Sequence, residues 1–186
     1  AISEARFAME TSELVGILWH QGESDSYGGR YETYKEKVCT LFNHLRKELN
    51  APDIPIIMGE LGEYLGESGF GKSAVEYKQV NEVLADVAHT EDHCYLVTSK
   101  GLTANPDGIH MDAISQRKFG LRYYEAFLKR TNVVDQLNQE EGWIERTADC
   151  VRTTNEEIFA QTSKLVLGEI SFDEFTAFIA TMKAGK

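Results

Sequence analysis

A chain of 186 residues, 42% hydrophobic and 26% charged, is long enough for one domain with a substantial core, so disorder is not its default state. Its formal net charge of -11 argues against a nucleic-acid or anionic-membrane surface, because phosphate binding depends on clustered Lys and Arg. Cys39, Cys94 and Cys150 are odd in number and widely spaced, with no Cys-x-x-Cys pattern; they read as reduced, mostly buried thiols rather than as a disulfide framework or a zinc site.

The chain opens on Ala1-Ile2-Ser3-Glu4-Ala5-Arg6, which has no charged-then-apolar leader pattern and resembles the middle of a helix. No apolar run is long enough to span a bilayer, and the expected location is cytoplasmic. Leu14 to Trp19, Ile54 to Met58 and Cys94 to Val97 are short apolar runs rich in branched side chains, which suits strands buried on both faces of a parallel sheet. Pro55 is tolerable near the start of its strand, where a missing ladder donor matters least.

Helical patterns separate these runs. Tyr31, Tyr34, Val38, Phe42, Leu45 and Leu49 recur at spacings of three and four, and Asn50 and Pro52 are stop signals. Val80, Val83, Leu84 and Val87 share one face of a second helix, and a third follows Asp112 as N-cap and carries Phe119, Tyr123 and Phe127. The alternation of strand and helix predicts right-handed crossovers and a three-layer α/β/α domain. Three strands make a small sheet for such a fold, and the expectation is that further sheet lies upstream of Ala1.

Composition changes after Arg130, which places a boundary between residues 1–131 and a helical extension, 132–186, packing on them. Residues 132–145 are polar and loosely patterned, a helical stretch runs from about Thr147 to Leu167, and Gly168 breaks it. Ser171-Phe172-Asp173-Glu174 then reads as a capping box, and the whole tail as an αα-hairpin.

Two segments carry the chemistry. Residues 18 to 25 read Leu-Trp-His-Gln-Gly-Glu-Ser-Asp, an apolar strand running into a polar loop, and Asp107-Gly108-Ile109-His110 follows the last strand and precedes a helix. A carboxylate that accepts the imidazole Nδ1 proton fixes the tautomer and leaves Nε2 free as a general base, so Asp107 and His110 are the leading candidates. By itself an Asp-x-x-His pair is a common surface hydrogen bond; the Trp19 to Asp25 segment gives it context.

Together the two motifs resemble the sialate O-acetylesterase and acetylxylan esterase branch of the SGNH hydrolases, carbohydrate esterase family six, over roughly residues 5 to 130. The resemblance implies hydrolysis of acetyl esters on carbohydrate by a Ser-His-Asp mechanism, without metal or organic cofactor. On it, Gln21 would donate its amide to the tetrahedral oxyanion, Asp107 would orient the imidazole and His110 would be the base. Gly22 would let the backbone approach closely, Glu23 would hold the loop by hydrogen bonds, and His20 is read as a packing residue. The family's Gly-Gln-Ser-Asn nucleophile motif has no counterpart here, so the nucleophile is expected upstream of this chain; Ser24, between Glu23 and Asp25, shows no sign of a strained elbow. The implied partners are an acetylated carbohydrate as substrate, and either further copies of the chain or an upstream segment.

Gly66-Glu67-Ser68-Gly69-Phe70-Gly71-Lys72-Ser73 fits the phosphate-loop pattern and makes a nucleotide-binding protein the rival reading. Residues 59–65 separate it from the preceding strand, however, and Cys94 to Val97 is followed by Thr-Ser-Lys rather than by a magnesium-binding Asp, so a flexible surface loop bordering the ester site is the simpler expectation. A non-catalytic carbohydrate-binding remnant is the third class. Gly168 to Phe175 mimics half of a calcium-binding loop, but Leu165 and Leu167 occupy positions that need oxygen ligands.

Overall fold

The structure is a computed structural model that describes residues 1–148 and 153–184. Cys150 and the part of the Thr147 to Leu167 stretch at residues 149–152 lie outside the described residues. The chain forms two compact units, Ala1–Ile144 and Glu145–Lys186.

In the first unit, helix α1 (Ile2–Ala8) precedes strand β1 (Ile17–Trp19), helix α2 (Tyr34–Glu48), strand β2 (Ile56–Gly59), helix α3 (Tyr77–Thr90), strand β3 (Cys94–Val97) and helix α4 (Ala113–Lys129). The strands pair in parallel in chain order, with Ile17 beside Ile56, Ile56 beside Cys94 and Trp19 beside Met58. Each lies within or beside the apolar run that marked it in the sequence.

Residue alternation along the strands splits the core. Ile56, Met58, Cys94 and Leu96 pack with Tyr34, Val38 and Phe42 of α2 and Val80, Leu84 and Val87 of α3. Ile57 and Val97 point the other way, against Phe119, Tyr123 and Ala126 of α4. β2 is therefore buried on both faces at every position, and the architecture is a three-layer α/β/α sheet of the kind the motifs imply. Asp112 caps α4, its carboxylate accepting from the Ser115 amide at 2.7 Å. Among the described residues β1 is paired on one side only, and Leu18 on it is 64% exposed.

The first unit runs past the 131/132 boundary that composition indicated. Val133 is buried and pairs with the outer edge of β3, its amide donating to Leu96 O and its carbonyl accepting from Thr98 N, both at 2.9 Å. Within the polar, loosely patterned residues 132–145, helix α5 (Glu140–Ala148) begins. At its start Glu140 accepts the Leu137 amide at 2.8 Å and, in a tertiary contact that no local pattern reveals, makes a bidentate pair with Arg122 of α4 at 2.7 and 2.9 Å, both side chains being buried.

In the second unit, helix α6 (Thr154–Val166) packs against helix α7 (Phe172–Ala184) across a turn where Gly168 takes φ of 72°. The capping box read at Ser171 and Glu174 is present, and Thr153 with Glu156 forms another at the start of α6. Cys94 is buried and Cys39 half-buried, and both are free thiols. No helix among the described residues is long and apolar enough to cross a membrane.

Candidate active site

Parallel strands deliver their following loops to one edge of the sheet, and the two chemical motifs converge there because Trp19 ends β1 and the Asp107 loop follows β3. Asp107 Oδ2 lies 2.7 Å from His110 Nδ1, while Oδ1 accepts the amides of Ile109 at 3.1 Å and His110 at 3.0 Å. The imidazole contact first, and then the two amides, hold the Asp107 carboxyl at about 2. It is thus ionised at neutral pH and fixes a proton on Nδ1, leaving His110 Nε2 without a partner among the described residues. A base in this state can take a proton from a hydroxyl and return it to a leaving group.

His110 lines an open cleft of about 300 Å³ together with His20, Glu23, Gln116, Phe119 and Tyr123. His20 crosses the cleft floor, its ring edge-on to Phe119 with centroids 5.3 Å apart and its Nε2 3.3 Å from the Glu60 carbonyl. The structure brings His20, Glu23 and His110 to one cleft, whereas the Gln21 side chain is not among the residues lining it.

The Gln21 amide nitrogen instead donates to Asp25 Oδ2 at 3.1 Å, and its backbone carbonyl accepts from the Tyr34 hydroxyl at 2.7 Å. Burial pushes the Tyr34 phenol up to about 12, so it remains a donor across the physiological range. Trp19 Nε1 donates in turn to the same hydroxyl at 3.3 Å, which ties the end of β1 to α2. Gly22 is buried with φ of 149°, and a Cβ there would lie 2.7 Å from Val80 Cγ1. Glu23 folds back to accept the Gly22 amide at 3.0 Å.

Ser24 is exposed, and its backbone carbonyl, rather than its hydroxyl, is the atom bound by Arg30. No serine among the described residues is hydrogen bonded to His110.

The glycine-rich segment does not have the form of a phosphate loop. Gly69–Ser73 is a short 3-10 turn, α3 does not begin until Tyr77, and the Phe70 amide donates inward to the Asp107 carbonyl at 2.8 Å. The loop does border the site, as a Gly-rich surface loop was expected to.

Sequence reasoning overlooked the residues that brace this edge. Glu60, directly after β2, accepts from the Thr98 hydroxyl at 2.7 Å and the Ser99 amide at 3.0 Å. The Tyr123 hydroxyl donates to Trp19 O at 2.7 Å, and Arg122 Nη1 donates to Thr98 O, also at 2.7 Å. Glu60 had a usable signal, an acid immediately following a buried strand; Arg122 and Tyr123 did not stand out from an ordinary amphipathic helix.

A family model described as carbohydrate esterase, sialic acid-specific acetylesterase, matches residues 1–129. The chain belongs to this family. It is 31% identical over 118 residues to a probable carbohydrate esterase of Arabidopsis thaliana, an alignment covering 62% of this chain and 41% of the relative. An X-ray structure of the protein of the same Arabidopsis locus superposes with a TM-score of 0.59 at 25% identity, over 69% of this chain and 49% of that one. The chain thus spans less than half the length of the curated relative it matches. The family match ends where α4 ends, at Lys129, so the tail lies outside it.

Proposed function

We propose that the chain supplies the acid and base of a carbohydrate O-acetylesterase that cleaves acetyl esters by a Ser-His-Asp mechanism, with the serine outside these 186 residues. The observation that carries the reading is the 2.7 Å contact of Asp107 Oδ2 with His110 Nδ1 at the carboxyl edge of the sheet. His110 Nε2 takes the proton of the attacking serine, whose oxygen adds to the acetyl carbonyl carbon. The tetrahedral intermediate collapses as His110 returns that proton to the sugar oxygen, leaving an acetyl-enzyme. His110 then deprotonates water, which attacks the acyl carbon; the serine–acyl bond breaks as His110 returns that proton to the serine oxygen, and acetate is released.

Gln21 supplies a donor to the oxyanion in this reading. Its amide is held by Asp25 Oδ2 at 3.1 Å outside the cleft, so donation to the oxyanion requires the side chain to turn from Asp25 toward His110. Such a donor stabilises the transition state by about 3 to 4 kcal/mol. Glu23, by accepting the Gly22 amide, keeps the loop in the shape that presents Gln21. Sialate and acetylxylan esters are both compatible with this chemistry.

Acetate release from acetylated carbohydrate, measured on the protein carrying its upstream sequence, tests the proposal. His110→Ala abolishes release without unfolding the protein; unchanged turnover would overturn the assignment. A fluorophosphonate, which labels activated serines, leaves the 186-residue chain unmodified; an adduct that disappears in His110→Ala would place the nucleophile within it instead.

A further inference from the structure

The segment Gly66 to Ser73 has no part in the steps above, yet the Asp107 turn rests against it. Phe70 N donates to Asp107 O at 2.8 Å, and Gly66 N closes the loop onto Gly71 O at 3.0 Å. The two backbones meet with no side chain between them. A Cβ on Gly69 would lie 2.1 Å from Asp107 O, one on Gly71 1.9 Å from Gly108 O, and one on Gly108 2.4 Å from Ser68 O. Gly71 is buried and its φ is not positive, so there glycine is needed for space alone. The Phe70 side chain is 79% exposed, which leaves the anchoring to the main chain.

The far side of the turn is closed by its own bonds. Gly108 N donates to Asn105 O at 2.9 Å, Asn105 N to His110 O at 2.8 Å, and Asn105 Nδ2 to Met111 O at 3.2 Å. These close the turn on itself, while the Phe70 amide and the close-packed Gly69 and Gly71 hold its Asp107–Gly108 main chain from outside. A carboxylate and imidazole partly open to solvent gain little from their own attraction, so the backbone beneath them must hold the geometry.

We propose that residues 66–73 form a main-chain clasp, with Gly69, Gly71 and Gly108 as positioning residues that hold Asp107 in register with His110. The clasp bears on turnover only through the esterase reading, but the pair's geometry can be measured without it. The Asp107 carboxyl, held at about 2 by the imidazole and the two turn amides, is a readout of that geometry.

Ring 1H–15N correlations by NMR on this chain, above the titration range of the imidazole, report the tautomer of His110. The unmodified chain shows the Nδ1–H form. Gly71→Ala shifts it to a mixture of tautomers and moves the Asp107 midpoint from about 2 toward the ordinary value of about 3.9, whereas Phe70→Ala, which keeps the amide, changes neither. A folded Gly71→Ala with the tautomer and midpoint unaltered would overturn the clasp. Should Gly71→Ala not fold, hydrogen exchange of the unmodified chain decides: the Phe70 amide is protected at least about tenfold relative to free peptide, and unprotected exchange would overturn the proposal. Loss of the esterase reading, through absence of ester turnover in the longer protein, would leave these spectra as they are.

Discussion

Removing Glu140 tests whether the contact that extends the first unit beyond α4 stabilises it. Arg122 and Glu140 side chains are 1% and 5% exposed, and the carboxylate accepts from Arg122 Nε at 2.7 Å, Arg122 Nη2 at 2.9 Å and the Leu137 amide at 2.8 Å. Burial opposes ionisation of Glu140, but the Arg122 guanidinium and the Leu137 amide outweigh it and hold the carboxyl below its ordinary range. In Glu140→Ala the guanidinium stays buried with only Thr98 O as a partner. Breaking a buried pair in this way costs about 3–5 kcal/mol. At about 2–4 °C per kcal/mol for a chain of this size, the melting temperature falls by about 6–20 °C. The double variant Arg122→Met with Glu140→Leu removes both charges; it leaves Thr98 O unpaired and returns the amide of half-buried Leu137 to solvent, so it recovers to within about 1–3 kcal/mol of the parent. Urea unfolding followed by circular dichroism, with calorimetry alongside, measures both. A loss below about 1 kcal/mol in Glu140→Ala, or a double variant as unstable as the single, would refute the reasoning.

The Asp107 carboxyl gives a pH signature: its folded value of about 2 lies below the unfolded value of about 3.9, so its contribution is complete above the latter and disappears as pH falls through the former. The melting-temperature gap between the parent and Asp107→Asn is therefore constant from pH 6 to about 4.5 and closes toward pH 2; an equal gap at pH 2 and pH 6 would contradict the pairing. Gly22→Ala combines an unfavourable φ with a Cβ 2.7 Å from Val80 Cγ1 and 3.2 Å from Leu61 Cδ1, and costs about 1–3 kcal/mol in urea unfolding. Because Val80→Ala vacates the crowded space, the double variant is more stable than the sum of the two single losses, and strict additivity would rule out the clash.

What could be read in the sequence was what is specified locally. β2 and β3 appear as apolar runs because the sheet is covered on both faces there, while β1 reads the same way although Leu18 is exposed; α4 was located by Asp112 and the Phe119, Tyr123 spacing because capping and amphipathicity act within a few residues. Asp107 and His110 are three residues apart in one turn, so the pair was visible locally, whereas the 66–73 backbone that holds the turn was not. The phosphate-loop pattern, carried only as the rival reading, meets a related limit: glycines mark close backbone approach, and the sequence does not say what approaches. Here it is the Asp107–Gly108 main chain. The start of α5 was hidden because Glu140 meets its partner eighteen positions away in sequence, beyond the reach of any periodicity.

The overlooked residues also account for how three loops from three strands hold a common register. Arg122 and Tyr123 are consecutive on α4, so their side chains diverge by about 100° around the helix. One reaches Thr98 O beyond β3, and the other reaches Trp19 O at the end of β1, on opposite sides of β2. Glu60, at the end of β2, closes the span by binding Thr98 and Ser99 through its carboxylate and His20 through its carbonyl. A single helical step thus spans the carboxyl edge of the sheet, and the loop bearing Gln21 and the loop bearing His110 are referenced to the same helix. Neither loop could shift along the edge without breaking a hydrogen bond to α4 or to Glu60, which is the rigidity a site assembled from separate loops requires.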